Sequence, residues 1–354
     1  MDWFWLKDGQ RLIVTMETAS ATQQGPAPGG PGAGPEPEPV IQLWLVGAAT
    51  GESRLLREVK GLDAMFPVAW NGAESVVCLD LPAAQGQPTK LTVTDFSGGK
   101  ASSRSVADLQ GTLRSHAATP DGRLISIHLG TRDGGEIRRI NTADGSTKDL
   151  ITGLPVWDGL YPVWFSPDGR SAAMPDPRNG GRPWRLRLLS IVTGELKHVD
   201  PYLDLIDFVR WSPDGRHLAF KVADGSHKLI DVADFSSVLS PKVRVLDETG
   251  KVVREFDMAK GHFIGDIEWL DENTLVLGER KSAQEDGPAW VAGLQSTGDG
   301  LKPAAPAQAA ILKDRPDTYP MPKRGSSSKF KVTVRSWQDQ GKAPSEELII
   351  TPVG

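Results

Sequence analysis

The stretch Trp211-Ser212-Pro213-Asp214-Gly215-Arg216-His217-Leu218-Ala219-Phe220 predicts a strand, a tight turn and a second strand. Proline presets φ at about −65° in the first corner of the turn, and Asp214 can accept a hydrogen bond from the backbone two residues on. Gly215 supplies the left-handed position that a Cβ would penalise. The aromatic residue before the turn and the apolar run after it complete the pattern of a β-hairpin.

The same hairpin pattern recurs along the whole chain. Clear copies lie at 118–124 and 165–170, and weaker copies lie at 5–12, 70–72 and 269–275. Their structural turn positions are Gly9, Gly72, Gly122, Gly169, Gly215 and Asn273. Successive positions are 46 to 63 residues apart by subtraction of these numbers. Propeller blades repeat at about 40–45 residues before insertions are added, so the spacing indicates a β-propeller.

A second turn follows in every repeat and lies between two further short runs of strand-forming residues. These turns contain Gly51, Gly98, Gly145, Gly194, Gly250 and Gly298. Two turns per repeat predict four antiparallel strands per repeat. We therefore predict an all-β fold, a six-bladed β-propeller of four-stranded antiparallel blades. A seven-bladed propeller with a degenerate last blade is the alternative.

The domain boundaries follow from the repeats. The propeller is predicted over residues 1–312, with blades at about 2–57, 63–106, 114–150, 161–199, 207–256 and 264–312. A Pro- and Gly-rich loop at 20–40 inside blade one is expected to be disordered, because it has little apolar surface to bury. Residues 313–354 are predicted to form a C-terminal hairpin, either a clasp or a partial seventh blade. The abrupt start of the first strand suggests a piece of a longer protein.

The segments Trp211–Phe220 and Phe165–Arg170 resemble the WD40-like repeat of the TolB-type β-propeller family. The resemblance extends over about residues 2–300. It implies a six-bladed ring and a bacterial, periplasmic or cell-envelope setting, although this chain shows no signal peptide. It implies no single activity, because the same blades serve binding proteins and enzymes.

Composition excludes several classes of protein. The net charge is −5, so no global positive field would attract the chain to nucleic acid. There is no apolar run of about 18 residues, so no transmembrane segment is predicted. The single cysteine, Cys78, cannot form an intramolecular disulfide. We expect a monomer that binds no nucleic acid.

Antiparallel blades divide their loops between two faces. The tight A–B and C–D turns share one face, and the B–C loops and D–A crossovers share the opposite one, which we call the insertion face. Long insertions are predicted there at 17–40, 82–88, 175–183, 223–240 and 281–288. Binding usually resides in long loops on a rigid scaffold, so this face is the predicted binding face.

Candidate binding residues lie in or next to the D–A crossovers. They are Trp157, Asp158, Tyr161, Tyr202, Asp207, His262 and Asp266. Carboxylates and aromatic rings around a channel mouth could bind a cation, a basic peptide or a sugar. The alternative is that these side chains cap exposed backbone N–H groups at the blade ends.

Other residues have structural interpretations. Trp5, Trp70, Trp211 and Trp269 end the first strands of their blades and are predicted to pack between neighbouring blades. Arg182, Arg185 and Arg187 are interpreted as a solvated strand face.

The sequence contains no motif of a known catalytic class. G-x-S-x-G, the phosphate-binding G-x-x-x-x-G-K-[ST], H-E-x-x-H and C-x-x-C are all absent. No cofactor and no metal site are predicted. An alternative metal site would use His116 and His262, both expected in D–A crossovers on the insertion face, with Asp207 and Asp266.

We therefore predict a non-catalytic scaffold that binds a protein or peptide partner through the insertion face. One alternative is a pore-centred, metal-dependent lyase or hydrolase acting on a polysaccharide or peptide. Another is the propeller part of a larger prolyl-oligopeptidase-like peptidase or of a receptor.

Overall fold

A computed structural model describes fifteen segments of the chain. They are residues 2–6, 10–18, 40–70, 74–84, 86–131, 134–154, 163–178, 181–203, 205–223, 242–258, 262–280, 285–296, 300–312, 330–337 and 345–352. The chain forms two compact units. One comprises Met1–Arg132, Arg138–Lys148 and Met321–Gly354, and the other comprises Asp133–Ile137 and Asp149–Pro320.

Three four-stranded sheets come first along the chain. Sheet one contains β1 (Asp2–Trp5), β2 (Arg11–Thr18), β3 (Val40–Gly47) and β4 (Ser53–Lys60). Sheet two contains β5 (Leu62–Trp70), β6 (Ser75–Pro82), β7 (Thr89–Asp95) and β8 (Ser102–Leu109). Sheet three contains β9 (Thr112–Ala118), β10 (Leu124–Thr131), β11 (Gly134–Asn141) and β12 (Thr147–Leu154).

Three further four-stranded sheets follow. Sheet four contains β13 (Trp164–Phe165), β14 (Ser171–Arg178), β15 (Gly181–Ser190) and β16 (Leu196–Leu203). Sheet five contains β17 (Leu205–Trp211), β18 (His217–Ala223), β19 (Lys242–Asp247) and β20 (Val252–Asp257). Sheet six contains β21 (Phe263–Asp271), β22 (Thr274–Arg280), β23 (Asp286–Gly293) and β24 (Leu301–Pro303).

The predicted fold class is confirmed. In each of the six sheets the strands lie in chain order, and the registered pairs are antiparallel, which is the construction of propeller blades. A short helix, α1 (Pro306–Ala309), and a 3₁₀ turn (Ala310–Leu312) follow sheet six. In the described part of the chain, no helix has the length and apolar character needed to span a membrane.

A separate hairpin lies near the C-terminus. Strand β25 (Phe330–Trp337) pairs with β26 (Ser345–Pro352), and within the described residues they form a sheet of two strands. Ile350 of β26 packs against the buried cluster formed by Trp5, Leu12 and Val14 of sheet one. Within the described side chains, the hairpin therefore contacts sheet one through Ile350.

The core lies between adjacent sheets. Leu43 of sheet one and Val76 of sheet two share one buried cluster, and Leu186 of sheet four and Phe220 of sheet five share another. Full burial of such a side chain contributes about 1.5–3 kcal/mol. Hydrogen bonds therefore join the strands within each sheet, and apolar packing joins neighbouring sheets.

The repeated turns form the hydrogen bonds and backbone angles that the sequence predicts. Ser166 Oγ donates to Asp168 Oδ1 at 2.6 Å, and the backbone N–H of Arg170 donates to the same oxygen at 3.1 Å. The turns at Ser212 and Thr119 repeat this arrangement. The φ angles of Gly122, Gly169 and Gly215 are 65°, 65° and 74°. Gly9 and Gly72 lie outside the described residues.

The tryptophans that end the first strands connect neighbouring sheets. Trp5 and Trp269 are buried. Trp211 Nε1 donates to the backbone oxygen of Trp164 at 2.8 Å, and Trp269 Nε1 donates to that of Arg210 at 3.0 Å. The side chain of Trp70 lies outside the described part.

Two predicted loop positions are wrong. Residues 175–183 do not form a long insertion, because β14 continues to Arg178 and β15 begins at Gly181. Pro175 and Pro177 lie within β14, where they pair with Leu186 and Trp184 of β15. Tyr202 lies in β16 and not in a crossover.

Candidate functional site

Polar side chains gather at one end of sheet six, where its B–C loop and the crossover from sheet five lie. We call this end the insertion edge of the sheet. His262 directly precedes β21, Asp266 lies early in β21, and Glu279 lies at the end of β22. Because antiparallel strands bring these positions to the same edge, residues distant in sequence become neighbours.

Glu279 is the buried centre of this group. Its side chain is 3% exposed, whereas that of His262 is 41% exposed. Nδ1 of His262 is in hydrogen-bond contact with Oε1 of Glu279, and Nε1 of Trp290 donates to Oε2 at 2.7 Å. A buried carboxylate needs such partners, since an unpaired buried charge is costly. Glu279 thus anchors an exposed imidazole.

Glycines make room for the charged side chains of sheet six. A Cβ on Gly287 would lie 2.9 Å from Cγ of Glu279, and a Cβ on Gly265 would lie 2.8 Å from Cγ of Arg280. Real Cβ atoms do not approach carbon atoms so closely. The edge is therefore shaped so that Glu279 and Arg280 fit against backbone.

Lys221 brings a second buried charge to the insertion edge of sheet five. It is 1% exposed, and its Nζ donates to the backbone oxygen of Gly265 at 3.3 Å. In the β17–β18 ladder it lies directly opposite Asp207. Lysine is rarely buried without a polar partner, so Lys221 links the edges of sheets five and six.

The structure describes only some of the predicted binding residues. Trp157, Asp158 and Tyr161 lie outside the described part of the chain. The backbones of Tyr202 and Asp207 are strand, and nothing is described of their side chains. His262 and Asp266 are described, and both belong to the insertion edge of sheet six.

Sequence reasoning missed Glu279, Trp290 and Lys221. One signal was present, because Leu275, Leu277 and Glu279 alternate along β22 and so share a face. A carboxylate that continues a row of buried leucines must find a buried partner. The partner itself comes from a different strand, which the row of alternate residues does not identify.

His116 is not an exposed crossover residue, contrary to the prediction. It lies within β9, and its Nε2 is buried with no hydrogen-bond partner among the described residues. Burial lowers the pKa of His116 to about 4, because the charged imidazolium is poorly solvated there. Within the same part of the chain, no three His, Cys, Asp or Glu side chains are placed to hold a metal ion.

A second histidine–carboxylate pair lies in sheet four. Asp176 accepts a hydrogen bond from Arg185 Nε at 2.7 Å and lies 3.0 Å from His198 Nδ1. Burial disfavours the charged carboxylate, but the bond from Arg185 and the charges of Arg187 and His198 lower the pKa of Asp176 overall. Arg185 and Arg187 are 24% and 14% exposed, so their interpretation as a solvated strand face is wrong.

Comparison with known proteins gives similarities of structure. No protein-family model and no curated protein matches the sequence. A structure from a study of two prolyl endopeptidases matches 99% of this chain and 46% of its own, with 12% identity and a TM-score of 0.51. TolB from Acinetobacter baumannii matches 75% of this chain and 60% of its own, with 13% identity and a TM-score of 0.37. The β-propeller domain of the Trilobed protease from Pyrococcus furiosus matches 82% and 94%, with 10% identity and a TM-score of 0.40.

These matches concern the fold. The order and antiparallel pairing of the strands give the chain the fold of a β-propeller. In agreement with the predicted resemblance, TolB proteins are among the structures to which the chain is similar. The chain spans 60% of the Acinetobacter TolB and 46% of the endopeptidase. At identities of 10 to 13% the similarity carries no activity, substrate or partner over to this chain.

Proposed function

We propose that this protein is a scaffold that binds a protein or peptide partner through its insertion edges, with sheets five and six at the centre. One observation carries this proposal. The imidazole of His262 is exposed and is held by a buried carboxylate, Glu279. A polar side chain that is both exposed and fixed in orientation loses little entropy when a partner binds it.

The opposite edges of the sheets use their charged residues differently. Asp121, Asp168 and Asp214 each accept hydrogen bonds from the backbone of their own turn. Such carboxylates stabilise the turn locally. Glu279 instead contacts side chains from a different strand and from the crossover, and its burial has a cost in stability. This contrast supports a binding role at the insertion edge.

Photo-crosslinking can test which edge meets a partner. The full chain would carry p-benzoylphenylalanine in place of Asp286, which is exposed at the insertion edge of sheet six, in one preparation and in place of Glu272 in another. Glu272 is exposed at the tight turn between β21 and β22, so it is a matched control in the same sheet. After irradiation in an extract of the source cells, we expect protein adducts from position 286 and none from position 272.

Two results would contradict the proposal. Equal adducts from both positions would indicate contact without an edge preference, and adducts from position 272 alone would place the partner on the other edge. No contact between described side chains favours a metal-dependent enzyme or the propeller part of a larger peptidase, so both remain secondary proposals.

A further inference from the structure

We infer that Glu279 and Trp290 hold the proton of the His262 imidazole on Nδ1. Its Nε2 then accepts a hydrogen bond from a lysine or arginine side chain of the partner. The assignment of the proton within His262 depends only on the contacts described above. The identity of the partner group as cationic rests on the proposed function. The two parts are therefore tested separately.

The proton on His262 can be placed from its neighbours. An indole N–H only donates, so Trp290 makes Oε2 of Glu279 an acceptor. An ionised carboxylate also only accepts, so the contact between Oε1 and His262 requires a proton on Nδ1. A neutral imidazole carries one proton, which leaves Nε2 with a lone pair. Among the described contacts, none uses that Nε2.

The charges around His262 favour a cation. The charged residues described near this edge of sheet six, on its strands or directly before β23, are four acidic and two basic, namely Asp266, Glu279, Glu285, Asp286, Arg280 and Lys302. Lys221 of sheet five adds one buried basic group, which contacts the backbone oxygen of Gly265. Nε of Arg280 lies 3.3 Å from Oδ1 of Asp286, whose side chain is 85% exposed. A lysine or arginine would therefore meet a hydrogen-bond acceptor in an acidic setting, whereas a carboxylate would meet repulsion.

The substitution Glu279→Gln should exchange the donor and acceptor nitrogens of His262 without changing the shape of the side chain at position 279. Trp290 still donates and so still selects the oxygen of the new amide. The amide NH₂ group then faces Nδ1 of His262 and donates to it. The imidazole must move its proton to Nε2, which becomes a donor. Asp176→Asn is the matched control, because it makes the same change beside His198 in sheet four.

Nitrogen-15 NMR of histidine-labelled full-length protein reads the tautomer directly. At mildly alkaline pH we expect the Nδ1–H form of His262 in the wild type and the Nε2–H form in Glu279→Gln. His262→Gln identifies the resonance by its loss. Asp176→Asn should leave His262 in the Nδ1–H form. A wild-type spectrum with the proton on Nε2 overturns the assignment, and this result needs only the His262→Gln variant to fold, because that variant identifies the resonance.

Two small probes test the partner group. Butylammonium mimics a lysine side chain and butyrate mimics a carboxylate, and each is titrated while the His262 resonances are followed. We expect the wild type to bind butylammonium more tightly than butyrate. Glu279→Gln should bind butylammonium about 3- to 10-fold more weakly, the loss of one hydrogen bond. Tighter binding of butyrate by the wild type, or no response to either probe, overturns the inference.

The crosslinking experiment separates this inference from the proposed function. Adducts at position 286 with a failed tautomer test would leave partner binding intact and remove the assignment of the proton on His262. A confirmed tautomer without adducts would leave the chemistry of His262 intact and contradict the proposed binding function.

Discussion

The indole Nε1 of Trp269 in sheet six donates a 3.0 Å hydrogen bond to the backbone oxygen of Arg210 in sheet five. Trp211 makes the equivalent 2.8 Å bond to Trp164 in sheet four. Each bond joins the end of one first strand to the end of the preceding one. The tryptophan before the tight turn therefore has two functions, since its ring fills the space between sheets and its N–H links their backbones.

Replacing Trp269 with Phe should destabilise the protein mainly through this bond. Phenylalanine keeps an aromatic ring but removes the indole hydrogen bond to the oxygen of Arg210, which contributes about 0.5–1.5 kcal/mol. Denaturant unfolding measures the change. Trp44→Phe is a control within sheet one, because Trp44 Nε1 donates at 3.1 Å to Gln42 two residues away. An equal decrease in the free energy of unfolding in both variants would contradict a larger contribution from the hydrogen bond between sheets.

Replacing Gly215 with Ala should cost about 1 kcal/mol or more. Its φ of 74° is unfavourable for a residue with a Cβ, and that Cβ would lie 3.0 Å from Cγ of Asp168. Gly98→Ala is the control, because no atom lies within 4 Å of the Cβ position and its φ is not positive. Thermal unfolding should separate the two variants, and unchanged melting of Gly215→Ala would refute the assigned turn.

Arg57→Met should be among the most destabilising single changes. Arg57 of sheet one donates to both carboxylate oxygens of Asp80 in sheet two, at 3.2 and 2.7 Å, and Asp80 is buried. Removing one partner of a buried ion pair costs about 3–5 kcal/mol. Burial already raises the pKa of Asp80 despite Arg57. The double variant Arg57→Met, Asp80→Asn should therefore recover part of the loss in denaturant unfolding, and a loss equal to the sum of both single changes would contradict coupling.

Stability should decrease in mild acid partly because of His116. Its folded-state pKa is lowered from 6.5 to about 4 by burial. Between these values the unfolded chain binds a proton that the folded chain does not, so the free energy of unfolding falls as pH falls. His128 has a similarly lowered pKa of about 4. In His116→Leu the unfolding free energy should decrease less between pH 6.5 and about 4, and an unchanged slope would contradict a neutral buried His116.

The sequence predicted the parts of the fold that depend on neighbours along the chain. The Ser-Pro-Asp-Gly letters specify a turn through contacts within five residues, as between Ser166 and Ser171. The turn sequence recurs along the chain, so the spacing of its copies predicted the four-stranded sheets. The strand at residues 175–178 was not predicted, because its pairing partners lie in β15 and are not identified by the residues of β14 themselves.

The candidate site was less predictable, because its contacts join residues far apart in sequence. His262 and Asp266 were found from their positions in or near a crossover, whereas Glu279 and Trp290 look like ordinary strand residues. Only the register of β22 and β23 brings the indole of Trp290 to Glu279. His116 was misplaced by a few residues, enough to exchange an exposed crossover for a half-buried position in β9, where its Nε2 is buried.

The close approach of Gly215 to Asp168 also bears on which changes the two turns can accept independently. Asp168 belongs to the turn of sheet four, and its carboxyl group fills the space that Gly215 leaves in the turn of sheet five. A larger residue at position 215 would therefore favour a smaller one at position 168. These two positions should change together during evolution, although they belong to different sheets.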